Sequence, residues 1–365
     1  MSLWARVRRR IGREWRLSRS AVSTPVFANL EGIPVVAVAG GVVAAADGGV
    51  DAASASSLSV RALTGPDEVL SAEALLARLY AHALGPAPQG LPAADPRHRD
   101  VQGRAAAVLA RITAQPERLP RRPHLLPALM RATGSGDASA TAIAALVQQD
   151  PTLTGNVLRI ANSAYYALPG KPLESVPRAI TRLGTEGMRR IVAASLMQPV
   201  TDGEHGAFAS STAVIWEHSL IAAAAAAGYA RELDAGLETA AHMAALLHGL
   251  GSIVVLHAVR DEYARQPLLA PDPAVPLALL DSAGATAARI AASWGLPTPT
   301  VLALQATESS KDPLARLLQL GRHAAAAEVL VQAGALDEHG AATTLAALAG
   351  RPDAWSRWRR LLEMN

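Results

Sequence analysis

Two histidines in apolar helical segments are the residues of this chain best suited to metal chemistry. His218 stands in the sequence WEHS and His248 in the hexapeptide LLHGLG. An imidazole beside a carboxylate can hold a divalent ion that activates water for phosphate ester hydrolysis. The residue after His248 is Gly249, however, so the carboxylate is missing. His248 alone cannot define a hydrolytic metal site.

Polar residues elsewhere offer only scattered replacements for that carboxylate. His242, Asp261 and Asp281 are nearby in the sequence, whereas a hydrolytic site generally needs three or more protein ligands and an open position. Cysteine is absent, which excludes thiolate ligands and thiol catalysis. We predict no catalytic residue, no metal and no cofactor. His218 and His248 are then hydrogen-bonded histidines of helix interiors or part of a ligand or partner pocket.

Charge is distributed unevenly along the 365 residues. The formal net charge is +3, but the first 20 residues carry +6, so the rest of the chain is net −3. A body of that sign is unsuited to following a nucleic-acid backbone, and we predict no specific nucleic-acid binding. Half of the residues are apolar, which suffices for one large core or two moderate domains.

Residues 1–20 are predicted to form a basic amphipathic tail. A helix would gather four apolar residues into one stripe, namely Trp4, Val7, Ile11 and Trp15. Such a helix could contact an anionic membrane or an acidic partner through its arginines, among them Arg6, Arg8, Arg9, Arg10 and Arg13. The alternatives are a frayed basic terminus and a helix packed on its own protein. We predict a cytoplasmic protein, peripheral at the membrane if the tail binds lipid.

A small α/β module is predicted for residues 21–85. Its apolar stretch Ile33–Ala46 lies too far from the N-terminus for a signal peptide and, at about 14 residues, is too short to span a bilayer as a helix. Valines around a central Gly-Gly pair favour a β-hairpin or meander instead. The module ends with a helix that begins at Pro66 and stops at Gly85.

A proline-rich linker with a short helix around Val101–Thr113 is predicted for residues 86–116. From there the pattern is almost wholly helical. Asp150 followed by Pro151 predicts a helix start, because aspartate caps the first turn and proline fits its first position. At the end of that helix, Asn162 and Ser163 are expected to bond nearby backbone, or alternatively to contact a ligand.

Several short motifs occur in a specific order between about residues 117 and 310. They are QQDPTLTGNVLRIANSAYY, AITRLGTEGMRRIV, WEHSLIAAAAAAGYA, LLHGLG and ASWGLP. This ordered set resembles the HD-related output domain (HDOD) family of bacterial signalling proteins. The residues that carry the resemblance include Asp150, Pro151, Asn162, Ser163, Gly184 and Trp294. The resemblance implies an all-helical fold related to the HD phosphohydrolases, in a family that generally lacks their metal ligands and is regarded as regulatory.

The departures from the hydrolase pattern strengthen that implication. His218 and His248 resemble the two HD histidines, whereas the further histidines of many relatives fall near Ala283, Thr307 and Glu308 in this chain. The resemblance therefore implies a vestigial cleft and a non-catalytic adapter that recognises other signalling proteins in motility, development or cyclic-dinucleotide pathways. Homodimer formation stays open. The competing prediction is a residual metal-dependent phosphohydrolase or a nucleotide-binding HD-type protein.

Residues 311–365 are predicted to form a helical extension. In its last helix Trp355, Trp358 and Leu362 fall on one side. They would pack on the HDOD body or, alternatively, form an exposed face for dimerisation or a partner, because tryptophan is favoured at interfaces. The predicted fold class is mainly α: an all-helical HDOD bundle with a small α/β module before it and this helical extension after it.

Overall fold

A computed structural model describes residues 69–85, 95–112, 120, 123–126, 129, 137–163, 166, 172–198 and 208–364. The chain divides into two units, Met1–Gly65 and Pro66–Asn365, and every described residue belongs to the second. The predictions for the basic tail and for a β-hairpin at Ile33–Ala46 therefore lie outside the described residues.

The described residues form helices and contain no strand. The first helices are α1 Ala72–Leu84, α2 Pro96–Ala110, α3 Asp137–Gln148, α4 Pro151–Ala161, α5 Val176–Met197, α6 Ala209–Leu233 and α7 Glu238–Ala264. The later ones are α8 Ala274–Leu279, α9 Ala283–Ser293, α10 Thr298–Gln305, α11 Pro313–Gln332, α12 Glu338–Ala349 and α13 Ala354–Met364. Short 3-10 turns at Ala235–Leu237 and Leu280–Ser282 precede α7 and α9. The predicted all-helical bundle is confirmed.

Three of these helices begin with the dipeptide Asp-Pro. The carboxylates of Asp95, Asp150 and Asp312 each accept a hydrogen bond from a backbone N–H of the first turn, at 2.9, 2.8 and 2.8 Å respectively. The proline that follows occupies the first helical position, where its missing N–H costs nothing. The start of α4 that the sequence predicts at Asp150 is therefore present.

Helices α6, α7 and α11 form the centre of the bundle, and α6 packs extensively on both of the others. Every residue from 218 to 230 in α6 and from Ala241 to Leu256 in α7 is buried. Ala235–Ala264 is also the one described segment long and apolar enough to cross a membrane, but 89% of its apolar window is buried inside the protein. A helix that is apolar on all sides and covered by neighbours is the expected core of such a bundle.

Glycines let the central helices approach until their backbones touch. A Cβ atom added at Gly321 of α11 would lie 2.6 Å from the carbonyl oxygen of Ala222 in α6, and one added at Gly251 of α7 would lie 2.4 Å from that of Ala283 in α9. Real Cβ contacts essentially never occur at such distances. Backbone contact of this kind fixes α11 against α6 and α7 against α9.

The first described helix belongs to the helical body and not to an N-terminal module. Helix α1 packs on α6 and α11, and the Leu70 N–H donates to the Thr344 hydroxyl at 3.2 Å in a buried bond. Gly85 ends α1 with a positive φ of 79°, as the sequence predicts. The boundary predicted near residue 85 is corrected to the junction of Gly65 and Pro66, because the apolar face of α1 is buried in the bundle.

The segment predicted as a linker also contributes to the bundle. Its helix α2 begins at Pro96, five residues earlier than predicted, because Asp95 supplies a cap. The His98 ring nitrogen Nδ1 lies 2.9 Å from the Tyr263 hydroxyl, and the Arg104 Nε donates to the buried Glu262 carboxylate at 3.2 Å. These two bonds join α2 to α7.

The C-terminal extension packs on the body. Trp355 and Trp358 are both buried, and the Trp358 indole N–H donates to the fully buried Glu328 carboxylate of α11 at 3.3 Å. The Arg359 guanidinium lies over the Trp355 ring, 5.2 Å from its centre. The alternative of an exposed tryptophan face is wrong, because the protein itself covers both indoles.

Candidate functional site

His218 and His248 enter the bundle from α6 and α7, which pack against each other. Only 4% of His218 and 7% of His248 is exposed. His218 Nε2 lies 3.1 Å from the carbonyl oxygen of Arg322 in α11. Since a carbonyl only accepts, Nε2 must carry the proton and donate it. His218 Nε2 is therefore hydrogen-bonded to the backbone of α11.

Both imidazoles are held in their neutral form. Burial lowers the pKa of His218 to about 4, with a smaller contribution from the Arg322 charge. Burial also lowers the pKa of His248 well below its ordinary value, and the Arg322 charge acts in the same direction. Desolvation penalises the protonated ring, and a neighbouring cation adds to that penalty.

Arg322 and His323 of α11 form a charged cluster with Glu308, which lies in the segment between α10 and α11. The Arg322 Nη1 lies 3.4 Å from Glu308 Oε1, and the His323 Nε2 lies 3.3 Å from Glu308 Oε2. Partial burial of the Glu308 carboxyl favours its neutral form, but the contact with His323 and the Arg322 charge together outweigh this effect and lower its pKa. An arginine cation is thus paired with a carboxylate in this cluster. We define the His218, His248, Glu308, Arg322 and His323 side chains as the histidine cleft.

The position of the missing carboxylate is filled. A Cβ atom added at Gly249 would lie 1.8 Å from the Ser219 hydroxyl oxygen and 2.4 Å from its Cβ. Ser219 is fixed in turn, because its hydroxyl donates to the Ile215 carbonyl oxygen at 2.6 Å within α6. A side chain at position 249 therefore requires α6 and α7 to move apart.

The replacement ligands considered from the sequence have contacts elsewhere or are exposed. His242 Nε2 is 3.0 Å from the Tyr166 hydroxyl, Asp261 pairs with Arg260 at 3.2 Å, and Asp281 is exposed in a 3-10 turn. Within the part of the chain that the structure describes, no group of three or more histidine or carboxylate side chains could hold a metal ion.

The side chain of the motif residue Asn162 forms hydrogen bonds with the backbone. Its amide nitrogen donates to the carbonyl oxygens of Leu158 and Leu173, each at 2.9 Å, and its amide oxygen accepts from the Leu173 N–H at 2.7 Å. Asn162 thereby ties the end of α4 to the segment that enters α5. The Ser163 hydroxyl beside it is buried and has no hydrogen-bond partner among the described residues.

Two further motif residues shape the fold. Gly184 has φ 71° and ψ 173° in the middle of α5, which breaks the helix into two halves at a kink. A positive φ of this size suits glycine because it has no Cβ. The buried Trp294 ends α9, and its indole N–H donates to the Pro120 carbonyl oxygen at 3.0 Å.

Arg322 and His323 were not singled out from the sequence. They lie in a helix whose other residues are mostly apolar, and that contrast is the available signal. This contrast does not reveal which residues lie next to Arg322 and His323, because 104 residues separate His218 from Arg322 in the sequence.

The buried histidines predict that the protein loses stability in mild acid. The unfolded chain binds a proton at His218 near pH 6.5, whereas the folded chain does so near pH 4. Stability is therefore full above about pH 6.5 and falls as the pH drops toward 4, by about 3 kcal/mol from His218 alone, since one pKa unit corresponds to about 1.4 kcal/mol. His242 and His248 act in the same direction. The measurement is the free energy of unfolding in urea at several pH values.

His218→Gln tests the assignment, because a glutamine amide can donate to the Arg322 carbonyl without titrating. Its pH dependence should be shallower than that of the unmodified chain. His339→Gln is the matched control at an exposed histidine. Equal slopes for the unmodified chain and His218→Gln would contradict the role given to this ring.

The described residues form a helical bundle with a pair of buried histidines on adjacent central helices, and Gly249 follows the second histidine. Residues 119–310 match the HDOD domain family, which is more than half of the chain. The chain belongs to the HDOD family. The resemblance inferred from the ordered motifs is thereby confirmed.

Individual relatives are distant. An uncharacterized protein of Treponema pallidum (strain Nichols) is 24% identical over 216 residues, which are 56% of this chain and 40% of that protein. This chain thus spans about two fifths of the length of that relative.

Two solved structures are similar at 17% identity. One, from Shewanella amazonensis SB2B, is of a protein provisionally named a metal-dependent phosphohydrolase, with a TM-score of 0.48 over 72% of this chain and 98% of that chain. The other, from Geobacter sulfurreducens, is of an HDOD domain protein with unknown function, with a TM-score of 0.45 over 73% of this chain and 99% of that chain.

Proposed function

We propose that this HDOD protein is a non-catalytic signal-transduction protein that acts by recognising other proteins. The observation that carries the proposal is the contact between Gly249 and Ser219, which fills the position of the carboxylate. A hydrolytic site built on the histidine pair would need that carboxylate or a replacement for it.

The rest of the histidine cleft supports the same proposal. The His218 Nε2–H group donates a hydrogen bond to the Arg322 carbonyl oxygen of α11. A protonated Nε2 has no free lone pair with which to bind a metal. Arg322 contributes a fixed positive charge that acts on both imidazoles. A divalent cation entering the cleft would meet repulsion from this guanidinium, which the paired Glu308 carboxylate offsets in part.

The pathway is part of the proposal and comes from the family resemblance. It places the protein in motility, development or cyclic-dinucleotide signalling, in the cytoplasm, with the arginine-rich tail of residues 1–20 available for an anionic membrane or an acidic partner. Recognition becomes a switch only if the partner binds two conformations of this chain with different affinities.

The test begins with metal content and turnover of the purified full chain. We expect iron, manganese, zinc and magnesium well below one ion per chain, and no hydrolysis of linear or cyclic dinucleotides with any of them added. Near-stoichiometric metal, together with turnover that is lost in His248→Ala, would establish the residual phosphohydrolase and overturn the proposal.

The second arm of the test is a crosslinked pull-down from the cells that make the protein. Leu233, Leu268 and Leu302 are large exposed apolar residues within the HDOD segment, and Val69 is one outside it. We expect one recurrent partner whose capture is lost when one of the three leucines is changed to aspartate and is kept in Val69→Asp. Repeated recovery of no partner, or loss of capture in Val69→Asp alone, would count against recognition by this domain.

A further inference from the structure

A cavity of about 450 Å³ opens between α5, α6 and α7, and neither His218 nor His248 lines it. Three arginines contribute to its wall: Arg182, Arg190 and Arg231. Two glutamates, Glu186 and Glu238, are the acidic residues of the lining. The charged side chains therefore leave an excess of one positive charge in the cavity.

One carboxylate oxygen holds two of the arginines together. Oε1 of Glu238 accepts from Arg190 Nη1 and, at 2.9 Å, from Arg231 Nη2. The side chains of Arg190 and Glu238 are largely buried. Glu186 is engaged elsewhere, because it pairs with the buried Arg189 at 2.5 Å. Two guanidinium groups thus converge on a single oxygen at the edge of the cavity.

The remaining polar groups of the lining do not offset the positive charge. The Tyr166 hydroxyl and His242 Nε2 lie 3.0 Å apart and are buried. Burial raises the pKa of Tyr166 and lowers the pKa of His242 well below its ordinary value, so both are neutral near pH 7. The other wall is apolar and includes Leu183, Ile191, Ala224 and Ala227.

We infer that this cavity binds a small phosphate monoester, with its phosphate on Arg190 and Arg231 and its apolar or aromatic part against Leu183 and Ala224. A phosphate dianion presents more acceptor oxygens than the single one that Glu238 supplies, and guanidinium groups match phosphate geometry in paired hydrogen bonds. About 450 Å³ is within the usual size of a small-ligand site. This inference goes beyond the recognition function and does not depend on it.

The binding test uses calorimetry on the full chain at low salt with adenosine monophosphate as the probe. We expect saturable binding of the nucleotide, at least tenfold weaker binding of inorganic phosphate, and no binding of adenosine, because the arginines require the phosphate and the apolar wall adds affinity. Adenosine binding as tightly as the nucleotide would overturn the inference. The inference would also be overturned if inorganic phosphate bound as tightly as the nucleotide, or if neither phosphate compound bound at millimolar concentration.

Two substitutions with opposite expected effects separate a ligand site from a structural ion network. Arg231→Gln should weaken nucleotide binding about tenfold or more, since a hydrogen bond to a charged group is lost. Glu238→Gln should tighten binding, because it removes the competing carboxylate and leaves both guanidinium groups available. Arg178→Gln is the matched control: it lies on α5 with its charge in solvent and outside the cavity lining.

Thermal unfolding of each variant without ligand serves as the second measurement. A ligand site is supported if nucleotide binding weakens in Arg231→Gln and tightens in Glu238→Gln while the unfolding temperatures of both variants fall by similar amounts. Weakened binding in both variants, or an equal effect in Arg178→Gln, would overturn the assignment.

Discussion

Replacing Gly249 by aspartate is expected to destabilise the protein severely and to create no metal site. The new Cβ would overlap the Ser219 hydroxyl at 1.8 Å and its Cβ at 2.4 Å, so α6 and α7 must separate in the most buried part of the bundle. Overpacking of this kind costs about 1–3 kcal/mol and an unpaired buried carboxylate about as much again, for a total of about 4 kcal/mol or more. We therefore expect that a His-Asp dipeptide at positions 248 and 249 would not create a metal site.

The measurement is the free energy of unfolding in urea, together with calorimetric titration of manganese or zinc. Gly249→Ala isolates the steric part, because its methyl group meets the same hydroxyl. The double variant Gly249→Ala with Ser219→Gly should recover most of that loss, since the Ser219 Cα would be 3.6 Å away, an ordinary contact. A Gly249→Asp variant that is as stable as the unmodified chain, or that binds one metal ion per chain, would contradict the expected clash between Gly249 and Ser219.

The second large effect is expected at Gly321, where α11 touches α6. In Gly321→Ala the added Cβ would lie 2.6 Å from the Ala222 carbonyl oxygen and 2.8 Å from the Ala226 Cβ. Backbone atoms cannot rotate away as a side chain can, so the helices must shift. We expect a loss of about 2 kcal/mol, because overpacking outweighs the higher helix propensity of alanine.

The same substitution at an open position supplies the control and should have the opposite sign. A Cβ at Gly103 in α2 or at Gly155 in α4 meets nothing within 4 Å, and both residues are exposed. Gly103→Ala and Gly155→Ala should each raise the free energy of unfolding by up to about 1 kcal/mol through helix propensity alone. If Gly321→Ala stabilised the protein as these two variants are expected to do, that result would contradict backbone contact between α6 and α11.

Gly321 also precedes the two α11 residues of the histidine cleft, Arg322 and His323. Displacement of α11 in Gly321→Ala would move Arg322 and His323 together, and with them the carbonyl that accepts from His218. The central packing and the cleft are therefore one structural unit. This explains why the cleft depends on a helix downstream of the segment 119–310 that the family match covers.

Local sequence determined the elements and their ends. Asp150 with Pro151 begins α4 through a cap and a preset φ, Gly85 ends α1, and Asn162 bonds the backbone of its own helix end. These interactions join residues a few positions apart, so residue type and spacing suffice to predict them. The ordered motifs likewise identified the family, and they placed His218 and His248 on separate helices of the bundle.

Only the tertiary structure decided what surrounds those histidines and where the domain begins. Helix α1 is part of the bundle because α6 and α11 cover its apolar face, a contact that no pattern within residues 72–84 reveals. Ser219 fills the space beside Gly249, and Arg322 reaches the cleft across more than 100 residues of chain. The physical reason is common to all three: helix periodicity specifies which face is apolar, but which helix covers that face depends on the packing of the whole bundle.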